Sequence, residues 1–109
     1  MRPVITLTTD FGTADPYVAA LKGVILSINP DAVIIDVAHE IRPQNIEQGA
    51  FVLSSVLPYF PPGAIHIAVI DPGVGTDRRA LALVTPSGVL VGPDNGLLSA
   101  ALPDSARED

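Results

Sequence analysis

Ile65-His-Ile-Ala-Val-Ile-Asp-Pro-Gly-Val-Gly-Thr-Asp-Arg-Arg79 is the stretch whose reading settles the fold of this chain. Its first six residues form a short run rich in Ile and Val, bounded by turn residues, which is the signature of a buried strand. That strand carries a carboxylate, Asp71, to its C-terminal end, where an unpaired buried acid costs roughly several kcal/mol and needs a partner or a ligand. Pro72, Gly73, Gly75 and Thr76 follow, a loop whose glycines bring backbone N–H groups close to a ligand, and then the cations Arg78 and Arg79. The loop reads as a site.

Upstream, Val4 to Thr8 alternates β-branched and apolar residues as a strand and ends in Thr9-Asp10-Phe11-Gly12-Thr13, a second strand-to-loop acid. Asp15-Pro16 reads as a helix N-cap followed by proline at the first helical position. Tyr17, Leu21, Val24, Ile25 and Ile28 then recur at helical spacing up to the stop at Asn29-Pro30. Ala32 to Val37 is a further buried strand with Asp36 in it, leading to a loop that holds His39, Glu40 and Arg42. Asn45 caps a second helix, with Gln48 in capping-box position and an apolar face of Ala50, Phe51, Leu53, Val56 and Leu57, ended by Pro58, Pro61, Pro62 and Gly63. Downstream of the central loop, Ala80 to Thr85 and Val89 to Val91 are strands joined by Pro86-Ser87-Gly88 as a hairpin. A polar loop, Gly92-Pro93-Asp94-Asn95-Gly96, precedes a short helix over Leu97 to Leu102.

Strand, helix, strand, helix, strand is the order of an α/β fold, here a mostly parallel sheet flanked by helices with a β-hairpin near the C-terminus. The near-continuous apolar strands point to burial on both faces. Ligands of such sheets sit beyond the carboxyl ends of the strands, so Asp10, His39 and Asp71 are candidates for one rim. Asp36 and Asp94 read more simply as turn-capping acids, Arg78 as a partner of Asp77 or of Asp71, and His39 and His66 as hydrogen-bonded structural histidines. Gly73-Val74-Gly75 lacks both the lysine of a P-loop and the third glycine of a dinucleotide fingerprint, and no His/carboxylate spacing compels a metal.

Bulk properties bound the rest. The chain has 109 residues, 48% hydrophobic and 17% charged, which suits a single domain, residues 1–109, with an ordinary core. Eleven prolines and nine glycines break the apolar content into runs far shorter than the roughly 20 residues of a membrane span. The N-terminus enters a strand pattern at once, without a signal-type block, so a cytoplasmic protein is expected. No cysteine is present, which removes disulfides and thiol catalysis. A formal charge of -6, with six basic residues scattered along the chain, argues against a nucleic-acid partner.

Thr8-Thr-Asp-Phe-Gly12, Asp15-Pro-Tyr17, Lys22-Gly23, Val37-Ala-His39, Gly49-Ala-Phe51, Asp71-Pro-Gly-Val-Gly-Thr76 and Gly92-Pro-Asp-Asn-Gly96 stand in the order in which they occur in the N-terminal domain of the S-adenosyl-L-methionine (SAM) hydroxide adenosyltransferases, and the chain resembles that family over almost its whole length. These SAM hydrolases are relatives of the fluorinase and chlorinase. The resemblance implies attack of water or hydroxide on ribose C5′ of SAM, giving adenosine and L-methionine without a further cofactor or metal. It implies that Asp71 and Arg78 position and activate the water, that Asp10 holds the ribose hydroxyls, and that Phe11, Asp15, Gly73 and Asn95 belong to the substrate site. Asp71 stands where the halogenating relatives have tyrosine, and Val74 where the fluorinase has a threonine facing halide, so hydrolysis is implied over halogenation. Gln44 stands about where those relatives carry an aromatic. The family's third catalytic residue, a histidine, and its C-terminal β-barrel fall in later segments absent from this sequence, and the family usually trimerises with each pocket shared between subunits. The alternative is therefore a noncatalytic nucleoside-binding or assembly domain.

Overall fold

The computed structural model describes residues 2–70 and 79–102. Strand β1 (Val4–Thr9) leads through helix α1 (Tyr17–Ile28) to β2 (Val33–Ala38), and helix α2 (Ile46–Val56) with a short 3-10 turn (Leu57–Tyr59) leads to β3 (Ile65–Val69). Strands β4 (Ala80–Thr85) and β5 (Gly88–Pro93) then form the hairpin, and α3 (Leu97–Ala101) follows. The α/β class, the parallel strands and the C-terminal hairpin are those expected from the sequence.

The strand order is β2-β1-β3-β5-β4. Strand β1 pairs in parallel with both β2 and β3, β3 pairs in parallel with β5, and only β4 runs antiparallel, against β5. After β1 the chain therefore crosses to one side through α1, then back over β1 to the other side through α2. Crossovers of one hand running in opposite directions place their helices on opposite faces. Two separate cores record this. Ile5, Leu7, Ile25 and Ala32 form one with Leu21 of α1, while Leu53 and Leu57 pack with Ala68, Ile70, Leu90, Leu97 and Leu98 in the other.

The paired strands alternate between these cores. Ile5 and Leu7 point to α1, and Thr6 and Thr8 lie under the α2 face, all four buried. His66 shares that second face and is fully buried, its Nδ1 2.8 Å from Thr6 Oγ1 and its ring edge-on to Phe60 at 5.6 Å.

Several local expectations need correction. Burial on both faces holds for β1 but not for β2, an edge strand whose Ile35 and Asp36 are exposed. On α1 only Leu21 and Ile25 pack on the sheet, whereas Tyr17, Val24 and Ile28 are 61%, 59% and 81% exposed, because helical spacing marks an apolar stripe without saying which part of it meets the sheet. Phe51 of α2 likewise faces outward. Helix α1 begins one residue later than read: Pro16, not Asp15, is its N-cap, and the first helical bond runs from Ala20 N–H to the Pro16 carbonyl. Asn45 does cap α2, accepting the Gln48 N–H at 2.9 Å, but the Gln48 amide oxygen accepts from Arg42 N–H, so the reciprocal half of the box is redirected into the preceding loop.

Candidate active site

Because β1 is flanked by strands reached in opposite directions, the carboxyl ends of β1 and β3 form the topological switch point, the place at which open α/β sheets receive ligands. Asp10 is the first residue past β1 and stands at that switch point. Its N–H donates to the Val69 carbonyl at the end of β3 (3.4 Å), so residues 10 and 70 share one sheet edge. Asp71, Gly73 and Arg78 lie outside the described residues, as do Val74 and Asp77.

The Asp10 carboxylate is partly buried, and its Oδ2 accepts the backbone N–H of Gln44 at 2.8 Å. Gln44 is the only non-glycine among the described residues at positive φ, 64°, and that turn aims its N–H at the carboxylate. One oxygen is thus held by the protein, and a carboxylate has lone pairs on the other for ligand hydroxyls. Phe11 follows, partly buried, its ring 6.2 Å from that of Tyr17 and tilted by 58°, an aromatic pair next to Asp10 in the chain. Asp15 is exposed in the bend before α1, further along the same loop.

Asn95 reaches the same edge from β5. Its Nδ2 donates to the Ile70 carbonyl at 2.8 Å, and its Oδ1 accepts Leu97 N–H at 3.0 Å. The side chain ties the end of β3 to the start of α3, so it shapes the rim from within the chain. Asp94, read as a turn cap, accepts from Arg79 Nη2 at 2.8 Å, an exposed pair of a type worth roughly 0–1 kcal/mol.

His39 stands at the same carboxyl edge of the sheet. It follows β2, is 8% exposed, and contacts Thr9 Oγ1 through Nδ1 (2.8 Å) and Asp36 Oδ1 through Nε2 (2.7 Å). Asp36 also accepts from Lys22 Nζ of α1 at 2.7 Å, and the His39 and Lys22 hydrogen bonds hold its carboxyl below the usual carboxylate value. Asp36 is thus an ion-pair and hydrogen-bond partner within β2, not a turn cap. A one-residue register shift brings this about: Leu7 pairs with Asp36 but Thr8 with Ala38. Strict alternation puts positions 36 and 39 on opposite faces, and skipping one residue puts them on the same face, beside Thr9. Neither this line nor the Gln44 N–H is visible in spacing, since both depend on a bulge and a left-handed turn formed only between elements.

Comparison with known proteins gives a consistent picture. A family model described as the SAM hydroxide adenosyltransferase N-terminal domain matches residues 5–109. The chain is 57% identical over 101 residues to an (R)-S-adenosyl-L-methionine hydrolase of Methanocaldococcus jannaschii and 48% identical to one of Thermus thermophilus. It is 37% identical over 82 residues to a fluorinase of Actinopolyspora mzabensis. These matches take in 88%, 93% and 75% of this chain but only 38%, 39% and 27% of the relatives. An uncharacterized conserved protein from Thermotoga maritima superposes with a TM-score of 0.87 at 38% identity, over 94% of this chain and 40% of that one. A conserved hypothetical protein from Thermus thermophilus gives 0.81 at 48% identity, over 93% and 42%.

Proposed function

Since this chain belongs to the SAM hydroxide adenosyltransferase family, matching its N-terminal domain, we propose that it takes part in hydrolysis of S-adenosyl-L-methionine to adenosine and L-methionine. Water attacks ribose C5′, a C–O bond forms as the C5′–S bond breaks, the electron pair passes to sulfur to give the thioether of methionine, and the water loses a proton. A sulfonium leaves without being protonated, so the task of the protein is to align the water opposite the C5′–S bond and keep bulk solvent out. Asp71 accepts a hydrogen bond from that water and Arg78 favours its hydroxide character, while Asp10 holds the ribose hydroxyls with the oxygen that Gln44 leaves free. Phe11, Asp15, Gly73 and Asn95 complete the nucleoside side of the pocket in this reading.

The observation that carries the proposal is the place of Asp10: an oriented carboxylate at the β1/β3 switch point, where ligands of this architecture bind. The two (R)-SAM hydrolases, at 57% and 48% identity, favour a hydrolytic outcome over the halogenating one of the fluorinase at 37%, and their names make the sulfonium epimer a variable to test. We extend the reading to cytoplasmic action as a homo-oligomer, a trimer once the family's C-terminal domain is present. The outward apolar side chains Tyr17, Val24 and Ile28 of α1 are consistent with such an assembly.

The test is incubation of the protein with each epimer of SAM, with adenosine and methionine measured in equal amounts. Adenosine formation that drops by roughly a hundredfold or more in Asp71→Ala is the expected result, on the scale of general acid–base and positioning contributions. A second reading rests on the oriented Asp10 carboxylate alone, which holds ribose hydroxyls whether or not chemistry follows: a nucleoside-binding domain without turnover of its own. Calorimetric binding of adenosine with no product from either epimer selects that reading, and absence of both binding and product defeats the two together.

A further inference from the structure

We propose that His39 is a positioning residue, whose ring, held between Thr9 and Asp36, fixes the loop that offers Asp10 and Phe11 to a nucleoside. The inference rests on the reading of Asp10 as the ribose-holding carboxylate.

Both ring nitrogens of His39 are committed within the protein. A carboxylate only accepts, so the proton sits on Nε2, facing Asp36, and in the neutral ring Nδ1 accepts the hydroxyl hydrogen of Thr9. The lone pairs of Thr9 Oγ1 stay available, and one of them accepts Phe11 N–H at 3.2 Å. The backbone of His39 acts on the same loop, its carbonyl accepting Gly12 N–H at 2.7 Å. The loop is thereby pinned at residues 9, 11 and 12, on both sides of Asp10. Lys22 completes the line at the far oxygen of Asp36, from the helix into which the loop runs. An apolar side chain would fill the same buried volume without needing partners. A histidine there with both nitrogens spent on the loop and its support makes sense as an orienting device.

Two amide substitutions separate the links. Asparagine reaches about as far as Nδ1, and glutamine about as far as Nε2, so His39→Asn retains the Thr9 contact and loses Asp36, while His39→Gln does the reverse. Thr9→Val removes the hydroxyl and leaves the ring untouched. Amide hydrogen exchange at Phe11 and Gly12 is measured on the protein without ligand, corrected for global stability from urea unfolding, and adenosine affinity is measured by calorimetry. With one net hydrogen bond worth about 1 kcal/mol, His39→Gln and Thr9→Val should each exchange the Phe11 amide about fivefold to tenfold faster than their global stability accounts for and weaken adenosine by a similar factor, with His39→Asn restoring both. Exchange and affinity that follow global stability alone in all three variants overturn the proposal, leaving His39 a structural residue. If the parent protein does not bind adenosine, the nucleoside reading of Asp10 falls, and the exchange measurements still decide whether His39 orders the loop.

Discussion

Gln44 shows how a single backbone angle serves the site. At φ 64° a non-glycine side chain crowds its own backbone at a cost of about 1–2 kcal/mol, and here the conformation delivers an N–H to Asp10 Oδ2. Glycine adopts this angle freely at an entropic cost of roughly 0.5–1 kcal/mol, and it keeps the N–H. Gln44→Gly should therefore raise stability by about 0.5–1 kcal/mol in urea unfolding, with the Asp10 contact preserved. A loss of stability would mean that the Gln44 side chain contributes more than its backbone strain costs. At this scale the sequence was informative about residue types and silent about partners. Asp10 stands out because an acid follows an apolar strand, but nothing in the spacing says that a main-chain N–H from residue 44 will meet it. Asn95 reads as part of a polar loop, and only the structure gives it the carbonyl of Ile70 to hold.

Among elements, strand β5 is the most constrained by close approach. A Cβ on Gly92 would collide with the backbone carbonyl oxygen of Ala68 and crowd Leu98 at 3.2 Å, and a carbonyl in a paired strand has no rotamer to escape into. Gly92→Ala should cost about 3 kcal/mol, the upper end for overpacking, read as a lowered urea midpoint with an unchanged slope. A change under about 0.5 kcal/mol would show that β3 and β5 separate easily, contrary to that tight approach. The elements themselves were largely legible: each strand and helix core was signalled by an apolar run or a 3.6-residue repeat between prolines and glycines. Which flank of a helix packs was not, as Val24, Ile28 and Phe51 demonstrate, because periodicity gives the phase of a stripe and the sheet selects the part of it that is covered. The register shift opposite Leu7 and Thr8 is equally invisible, being a property of a strand pair and not of either strand.

For the whole molecule, His66 links the core to pH. It is fully buried, its Nε2 has no hydrogen-bond partner, and burial lowers its pKa from 6.5 by disfavouring the imidazolium. Between that lowered native value and 6.5 the unfolded chain binds more protons than the folded one, so stability is undiminished above 6.5 and falls as pH drops through this window, by up to about 1.4 kcal/mol per unit. Below the native value both states are protonated and this loss levels off. Asp36 acts in a separate, more acidic window: its lowered pKa adds stability that is complete above 3.8 and disappears as pH falls through the native value. Urea unfolding from about pH 8 down to about pH 5 should show the decline in the parent and a flatter profile in His66→Gln. Identical slopes in the two proteins would remove His66 as the cause.

What the sequence determined by itself was the kind of fold, the list of elements and the acids that end apolar strands, because hydrophobic period, turn chemistry and capping act over a few neighbouring residues. Only the tertiary structure decided the order β2-β1-β3-β5-β4, and with it the switch point at Asp10, the separate cores and the Thr9-His39-Asp36-Lys22 line. The reason is physical: strand order and register are set by which surfaces pair across long stretches of chain, and that pairing is satisfied by backbone hydrogen bonds that every residue type except proline offers alike.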